Sequence, residues 1–537
     1  MKYIINLSFF IAFTALSAQT SFPYEISLEP MVVNGLDGLQ SYAFGQHEGK
    51  WLLLGGRRDG LHARQPFNAF PASQNNTNLD VVLPETGQVW SASVLGLPTG
   101  IKEQLQSTNI QFFQEGETLY LIGGYSYSSS AGDHITYPNL MAINVPDLMD
   151  AIENGQPIGP FFKQITDERM AVTGGQLGKM GDQYLLVGGH RFDGRYNPMN
   201  MPTFVQTYTN AIRKFEIEND DTGLAISNFS ETTDALHLHR RDYNLLPQIF
   251  PNGEFGYTLF SGVFQINQDL PFLYPVDIKA NSHEPITNFN QYLSHYHSAT
   301  VALFDPSENA MHNLFFGGMS QYYYNGDNLV QDDMVPFVKT ISRVSRATNG
   351  YLEEVRLPIE MPALLGAGAE FIPNENLEMA APDVFQLPAT INDSLFIGYI
   401  FGGIESPQLN PFNFNNTNVT TATIRIFKVF IKKSVANAVG EIKVDGYHQF
   451  QIQAIPNPTN GSIFQLKINA PEAGLLEIFM SDVAGRLHVN TTLEGLPIGE
   501  HKVEIEMTEP YQDGLYFISA HLNGKYVATG KVLMTND

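Results

Sequence analysis

The stretch Leu119-Tyr-Leu-Ile-Gly-Gly-Tyr125 decides the fold of this chain. It is a short apolar run that ends in two glycines, and such a run predicts a buried β-strand. Glycine at a strand end lets backbones approach closely and permits dihedral angles that other residues avoid. Variants of this stretch recur along most of the chain. They occupy residues 51–56, 184–189, 257–262, 314–318 and 397–403.

Each copy of the stretch is flanked by further short strand patterns. The strands predicted before the copies are residues 41–45, 109–113, 170–174, 244–250, 299–304 and 366–371. Those predicted after them are residues 79–83, 140–145, 211–217, 273–278, 338–344 and 423–431. Outer strands follow at residues 88–93, 161–165 and 351–357. The repeating unit is therefore predicted to be four antiparallel strands.

This unit resembles the kelch repeat, whose length is about 50 residues. The resemblance covers residues 22–433 and implies an all-β protein with a β-propeller. Six copies predict six blades, and seven blades are the alternative. The sixth copy lacks an outer strand, which the stretch Tyr24-Glu-Ile-Ser-Leu-Glu-Pro30 is predicted to supply. The N-terminus would then close the ring and leave no open sheet edge. We therefore expect the propeller domain to span residues 19–433.

The C-terminal part is predicted to be a separate domain, residues 449–537, after a linker at residues 434–448. Strand patterns lie at residues 463–468, 475–480, 501–505 and 515–520. The motifs Ile455-Pro-Asn-Pro-Thr-Asn-Gly461 and Gly514-Leu-Tyr-Phe-Ile518, with residues 475–486 and 524–531, resemble the type A sorting domain of the type IX secretion system of Bacteroidetes. The resemblance implies a small β-sandwich that the type IX machinery recognises and that directs export across the outer membrane. Such domains are often removed or exchanged for a surface anchor.

The N-terminus predicts export. Lys2 precedes an apolar run over residues 4–16, and Leu16-Ser17-Ala18 supplies small residues for cleavage, so residues 1–18 are predicted to be a secretory signal peptide. No later apolar run is long enough for a transmembrane segment. We therefore expect a secreted or outer-membrane surface protein.

Composition excludes several classes of function. The chain has 55 acidic and 30 basic residues and a net charge of −25, which disfavours binding to nucleic acid. It contains no cysteine, which excludes disulfides, thiolate metal sites and a cysteine nucleophile.

Strand alternation predicts which face of the propeller carries function. The loops between second and third strands share one face with the connections between blades. We call this the top face. Long loops on a rigid scaffold commonly hold binding residues. The long second-to-third loops are residues 57–78, 125–139, 190–210, 319–336 and 404–422.

The top face is predicted to bind a ligand through arginine, tyrosine and histidine. Arginine binds carboxylate or sulfate by paired hydrogen bonds, and tyrosine rings stack on sugar rings. The predicted ligand-binding residues are Arg57, Arg58, His62, Tyr125, His190, Arg191, Arg240, Arg241, Tyr243, Tyr296 and Tyr323. In the alternative interpretation the arginines only pair with neighbouring aspartates, as Arg58 with Asp59, Arg195 with Asp193 and Arg241 with Asp242.

Two His-x-His pairs suggest a metal site. Residues i and i+2 of an extended strand point the same way, so His237 with His239, and His295 with His297, could share a divalent metal such as zinc, copper or iron. The alternative is that these histidines line a polar channel or bond to the backbone. No other cofactor is predicted.

Three functions fit these features. The first is a secreted or cell-surface protein that binds an extracellular carbohydrate or other polymer. The second is a carbohydrate-active enzyme, mutarotase- or lyase-like, with top-face histidine, arginine and tyrosine as acid–base groups, although no catalytic residue is singled out. The third is a protein–protein adaptor. The kelch resemblance also includes radical-copper oxidases, but these need a tyrosine crosslinked to cysteine, which this chain lacks.

Overall fold

The computed structural model describes residues 22–198, 203–326, 328–391, 393–433, 442–444, 451–460, 462–470, 473–483, 486–497, 499–507, 511–523 and 526–535. The chain divides into two compact units, Met1–Lys443 and Val444–Asp537. The predicted signal peptide lies outside the described residues, as does most of the predicted linker. Among the described residues, no helix is both long and apolar enough to cross a bilayer.

The first unit contains six antiparallel sheets built on four strands each. Sheet 1 consists of Ala43–His47, Lys50–Leu54, Asn78–Leu83 and Gln88–Ser93. Sheet 2 consists of Gln111–Glu115, Thr118–Ile122, Asn139–Asn144 and Phe162–Thr166. Sheet 3 consists of Gln176–Met180, Gln183–Val187, Ala211–Asp220 and Gly223–Thr233.

The remaining three sheets repeat this strand order. Sheet 4 consists of Asn244–Ile249, Phe255–Phe260, Val276–Ile278 and His283–Pro285. Sheet 5 consists of Ala299–Asp305, Ala310–Phe316, Thr340–Arg346 and Leu352–Glu360, and Ile442–Lys443 adds a short edge strand. Sheet 6 consists of Leu364–Pro373, Ser394–Ser406, Ile426–Lys433 and Tyr24–Met31, and Thr421–Ala422 pairs with its second strand.

The outer strand of sheet 6 comes from the start of the described chain. Tyr24–Met31 runs antiparallel to Ile426–Lys433, with Tyr24 opposite Lys433 and Met31 opposite Ile426. This is the position expected for the N-terminal stretch from the missing outer strand of the sixth copy. The last sheet is therefore completed by residues that lie about 400 positions away in the sequence.

The glycine pairs join each sheet to the next. In five of the six sheets the pair is Gly-Gly, and in sheet 4 it is Ser261-Gly262. The second glycine always donates its backbone N–H to a carbonyl oxygen at or just before the start of the first strand of the next sheet, at 2.8 to 3.1 Å. The six bonds run from Gly56 to Ser107, Gly124 to Val172, Gly189 to Arg240, Gly262 to His295, Gly318 to Leu365 and Gly403 to Leu39.

A second set of backbone hydrogen bonds closes a cycle at the start of the first strands. One residue of each sheet donates its N–H to the carbonyl oxygen of the equivalent residue in the preceding sheet, at 2.7 to 3.4 Å. Ser41 of sheet 1 donates to Gly368 of sheet 6, so the cycle has no free end. We call these six residues the central ring. Its members are Ser41, Asn109, Gly174, Asp242, His297 and Gly368.

Hydrophobic clusters fill the space between successive sheets. Leu119 and Leu121 pack toward sheet 1, whereas Tyr120 and Ile122, on the other face of the same strand, pack toward sheet 3. The second strands are buried on both faces, which explains why they read as continuous apolar runs rather than alternating ones. Trp51 of sheet 1 packs with residues of sheet 6, so the gap between the last and first sheets is filled as well.

The structure corrects several predicted elements. The first strand of sheet 3 is Gln176–Met180, not residues 170–174, because Glu168–Met170 forms a 3-10 turn before it. Three of the long loops contain hairpins of their own. These pair Tyr125–Ser128 with Asp133–Thr136, His190–Gly194 with Phe204–Tyr208, and Tyr322–Asn325 with Asn328–Gln331. In the first-to-second loop of sheet 6, Met379–Ala381 pairs with Val384–Gln386, which runs parallel to the first strand of sheet 5.

Short helices complete the first unit. The two α-helices are Thr99–Leu105 and Val145–Glu153, and Asn144 caps the second by accepting a hydrogen bond from the backbone of Asp147. The 3-10 turns are Pro66–Asn68, Ala72–Gln74, Val94–Gly96, Gly159–Phe161, Glu168–Met170 and Thr417–Val419.

The second unit has two antiparallel sheets that share one hydrophobic cluster. The smaller sheet consists of Gln451–Ile455, Ile463–Ala470 and Gly499–Glu506. The larger one consists of Gly474–Asp482, Leu487–Leu496, Gly514–Leu522 and Tyr526–Met534. Leu466 and Ile478, one from each sheet, are fully buried in the shared cluster.

Candidate functional site

The loops between second and third strands contact one another across sheets. We call these six loops the loop collar. Tyr125 and Phe192 illustrate the contacts, because their rings meet edge to face at 5.2 Å between hairpins of sheets 2 and 3. Hydrogen bonds between loops include His134 to the carbonyl of Phe70, Thr136 to the carbonyl of Phe192, Leu61 to Thr420 and Phe337 to the carbonyl of Leu409. The loops therefore form one continuous surface on the side predicted to carry function.

Arg57 and Arg58, at the start of the first loop, are occupied by protein partners. Arg57 is 1% exposed, and its guanidinium donates to both carboxylate oxygens of Asp59 and to Asn75. Arg58 pairs with Asp37 at 2.8 Å. The predicted ligand role of Arg57 is corrected, because its guanidinium is enclosed by partners. Asp59 thus pairs with Arg57 rather than with Arg58.

Arg240, Tyr243 and Tyr125 are structural. Arg240 is fully buried, donates to the carbonyl oxygens of His237, Ser261 and Tyr274, and lies 4.0 Å from the centre of the Phe272 ring. The hydroxyl of Tyr243 donates to the carbonyl of Val187, and that of Tyr125 donates to the carbonyl of Gly194 at 2.9 Å. All three predicted ligand roles are corrected, because these side chains face the protein interior.

His190, Arg191 and Tyr323 lie on collar hairpins. Buried His190 accepts a hydrogen bond from Gln206 at 2.6 Å. Arg191 is exposed and donates to Asp193 and Glu168, so Asp193 pairs with Arg191 and not with Arg195. Tyr323 is partly buried on its hairpin.

Arg241 is the predicted arginine that faces the middle of the collar. It immediately precedes the central ring, and its guanidinium pairs with Asp242 and donates from Nε to the hydroxyl of Tyr208 at 3.2 Å. The side chain is one-fifth exposed and lies 5.1 Å from the Phe264 ring. We call Arg241, Asp242, Tyr208, Phe264 and Tyr296 the Arg241 cluster. The Arg241–Asp242 pair is the one aspartate pairing that the alternative interpretation placed correctly.

Charges and burial in this cluster favour an anion. Burial lowers the pKa of Arg241, but the charge of Asp242 and the hydroxyls of Tyr208 and Tyr296 raise it above its ordinary value overall. Burial raises the pKa of Tyr296, and the charge of Arg241 offsets part of this rise. Arg241 therefore stays charged beside neutral hydroxyl donors, and the edge of its guanidinium that Asp242 leaves free suits a carboxylate or sulfate.

His62 lies among aromatic rings from three loops. Its ring stacks on Phe70 at 4.7 Å and meets Tyr196 and Phe412 edge to face. Burial lowers the pKa of His62 to about 4, and the positive charges of Arg241 and Arg57 act in the same direction. His62 is therefore a neutral, uncharged part of the collar at pH 7, rather than a cation for a ligand.

The four histidines of the predicted metal site have separate partners. His237 shares a hydrogen bond with the hydroxyl of Tyr274, and His239 donates to Asn210. His295 donates to the carbonyl of Gln291 and accepts from the backbone of Gln321, so both ring nitrogens are used. His297 instead faces Glu370, 3.3 Å away.

The predicted four-histidine metal site is therefore not formed. Both His-x-His pairs lie in loops rather than in extended strands, so the side chains of residues i and i+2 need not point the same way. Within the part of the chain that the structure describes, no group of three or more histidine, aspartate or glutamate side chains is arranged to hold a metal ion.

A cavity of about 100 Å³ lies at the central ring, next to the Arg241 cluster. No sequence motif marks Glu370, Asn109 or Gln111 as site residues, yet all three line this cavity. Their positions are regular, because Asn109 is itself a central-ring residue, and Gln111 and Glu370 each lie two residues after one. That regularity becomes visible only once the first strands are correctly aligned. The lining residues with polar side chains also include Ser41, Gln176, Asp242 and His297.

No protein-family model matches the chain, and no curated protein matches it. Solved structures that the chain matches include YjhT, at 11% identity and a TM-score of 0.42, covering 75% of this chain and 99% of YjhT. They also include a glycoside hydrolase family 43 arabinoxylan arabinofuranohydrolase from Bacillus subtilis in complex with cellotetraose. That match has 10% identity and a TM-score of 0.25, covering 93% of this chain and 96% of the hydrolase. Both scores are too low to assign a function.

Proposed function

We propose that the first unit is a six-bladed, kelch-like β-propeller and that its loop collar binds an acidic carbohydrate. The six sheets, the two closed cycles of backbone hydrogen bonds and the apolar cluster between each pair of neighbouring sheets support the propeller. The fold by itself does not select a ligand, because the same fold serves many functions. The Arg241 cluster instead indicates the class of ligand.

The observation that carries this proposal is the free edge of Arg241. Arg57 and Arg240 are enclosed, and Arg191 lies between two carboxylates, but Arg241 keeps Nη2 without a hydrogen bond to any described residue. A carboxylate or sulfate placed there would receive a charge-assisted hydrogen bond. Tyr208 and Tyr296 border the same edge and are partly exposed, so their rings and hydroxyls are available to a sugar.

A glycan array that contains neutral, carboxylated and sulfated sugars tests the proposal. Binding should be confined to acidic glycans and should weaken at least about ten-fold in Arg241→Gln, since a charge-assisted hydrogen bond contributes about 1.5–3 kcal/mol. Arg191→Gln is the matched control, because it removes the same charge from the same collar. Equal loss in both variants, or preferential binding of neutral glycans, would contradict the proposal. Chromatography of a bound glycan after incubation distinguishes binding from turnover.

We also propose that residues 1–18 direct export and that residues 449–537 are recognised by a type IX secretion system. The signal-peptide pattern and the four quoted C-terminal motifs support this proposal. The protein should reach the medium or cell surface of a bacterium with this system. Deletion of residues 449–537 should retain it in the periplasm. Equal surface display with and without these residues would reject the sorting role.

Protein binding is the second candidate function, because the collar exposes apolar side chains. Phe67 is 71% exposed and Phe414 is 66% exposed. Others on collar loops are Tyr127, Val205, Ile266, Met334 and Leu409. Selection of binders from a peptide display library, with Phe67→Ser/Phe414→Ser as the comparison, tests this candidate. Peptides that bind both forms equally would exclude the apolar rim as their site.

A further inference from the structure

The cavity at the central ring contains hydrogen-bond acceptors that the protein leaves unsatisfied. Gln111 is 1% exposed, and its amide donates to the carbonyl of Asn109, but Oε1 has no partner. Glu370 is 9% exposed, and its Oε1 faces the ring nitrogen Nε2 of His297 without a well-aligned hydrogen bond. Both residues line the cavity. A buried acceptor left without a donor costs about 1–3 kcal/mol, so an occupant that donates to these atoms would be stabilised.

The other carboxylate of the cavity is already neutralised. One oxygen of Asp242 accepts from Asn109 at 3.0 Å, and the other pairs with Arg241. Glu370 differs, because its charged neighbour is the Nε2 atom of His297 at 3.3 Å, which makes an ion pair only when His297 is protonated. The atoms that lack a well-aligned hydrogen bond in the cavity are therefore acceptors, and the charge of Glu370 is uncompensated whenever His297 is neutral.

We propose that this cavity binds a primary ammonium group, with Glu370 as its counter-ion and Gln111 as a second acceptor. An –NH₃⁺ group has three donors and no acceptor, which matches a lining whose unsatisfied atoms are acceptors. A hydroxyl group would also need a donor from the protein. This site rests on Glu370 and Gln111, which do not belong to the Arg241 cluster, although Asp242 borders both sites.

Size and access agree with a small amine. A cavity of about 100 Å³ accommodates an ammonium group with one or two carbons. The side chains of His297, Asp242 and Glu370 keep 26%, 16% and 12% of their surface exposed, so solvent reaches the cavity. The net charge of −25 attracts cations from a distance.

Protonation of His297 competes with the amine. His297 faces Glu370 and Asp242, and the charge of Asp242 is shared with Arg241. Burial lowers the pKa of His297, but Glu370 and then Asp242 raise it above its ordinary value overall. A protonated His297 neutralises the charge of Glu370 and so competes with the amine. Amine binding should therefore strengthen as the pH rises and His297 becomes neutral.

Saturation-transfer NMR of the methyl signal tests the site on the full chain. Methylammonium should give a signal that grows between pH 6 and 8, whereas tetramethylammonium, which has the same charge and no N–H donor, should give none. Glu370→Gln should reduce the methylammonium signal at least ten-fold. Glu378→Gln, which removes an exposed carboxylate elsewhere on the chain, should leave it unchanged.

The outcomes separate this site from water and from the Arg241 ligand. Equal signals from both cations, or an unchanged signal in Glu370→Gln, would overturn the proposal, because binding would then not depend on N–H donors or on Glu370. Should Glu370→Gln fail to fold, Gln111→Leu is the alternative variant. A reduced methylammonium signal in it would support the site, and an unchanged signal would reject the site. Arg241→Gln is expected to lose the acidic glycan while retaining methylammonium, so either proposal can fail alone.

Discussion

Gly123 lies so close to Val172 that a Cβ atom added to Gly123 would stand 1.8 Å from the carbonyl oxygen of Val172. The next residue, Gly124, donates its N–H to the same oxygen at 3.0 Å. The carbonyl oxygen of Val172, just before the first strand of sheet 3, thus contacts both glycines that follow the second strand of sheet 2. The glycine pair is therefore a joint between sheets rather than only the end of a strand.

Gly123→Ala should destabilise the first unit by about 3 kcal/mol or more, because strain at positive φ adds to a steric clash with backbone. Gly116→Ala is the matched control, since Gly116 also has positive φ but a Cβ there meets nothing within 4 Å. The control should cost only about 1–2 kcal/mol. Urea unfolding measures both. Equal losses would mean that the contact with Val172 adds nothing.

The pairing of Tyr24–Met31 with Ile426–Lys433 predicts that a crosslink across it stabilises the first unit. Glu29 lies opposite Lys428. Because the chain has no cysteine, Glu29→Cys/Lys428→Cys can form a disulfide without competing thiols. The oxidised form should gain about 2–4 kcal/mol over the reduced form, since the bond closes a long loop.

Each single cysteine variant is the control for this crosslink, because neither can close the loop. Thermal unfolding with and without reductant is the measurement. Failure of the two cysteines to oxidise in the folded protein would show that the N-terminal strand does not occupy this edge in solution.

Buried His295 predicts a loss of stability in acid. Burial lowers the pKa of His295 to about 4, while its donation to Gln291 works in the other direction. The unfolded chain takes up this proton near pH 6.5 and the folded chain only near pH 4, so the free energy of unfolding falls as the pH drops through that window. The full loss is about 3 kcal/mol.

His295→Leu should abolish this part of the pH dependence, although it lowers stability at pH 7 by removing two hydrogen bonds. The measurement is urea unfolding at pH 7 and pH 4.5. His47→Gln, at the end of the first strand of sheet 1, is the control. If the free energy of unfolding of His295→Leu still falls between pH 7 and pH 4.5 as much as that of the wild type, the acid sensitivity belongs to other histidines.

The sequence predicted the scaffold better than the site, for a physical reason. A strand such as Thr118–Ile122 is buried on both faces, so its composition is constrained along its whole length and the pattern is readable. The turn Glu168–Met170 ends in the buried Met170, so the sequence there resembles the start of a strand. The first strand of sheet 3 was therefore predicted too early in the chain. At the collar, neighbours in sequence face opposite ways, and only the fold shows which one is enclosed.

Arg240 and Arg241 make the last point testable, because adjacent arginines are expected to respond in opposite ways. Arg240→Met removes the donor to three carbonyl oxygens and the contact with Phe272, so it should cost more than about 3 kcal/mol of stability. Arg241→Gln should cost less stability than Arg240→Met, since Asp242 keeps its hydrogen bond from Asn109, while the acidic ligand is lost. Urea unfolding and glycan binding, measured on both variants, give this crossed result. Loss of stability in Arg241→Gln with binding retained would reverse the two assignments and place the ligand elsewhere on the collar.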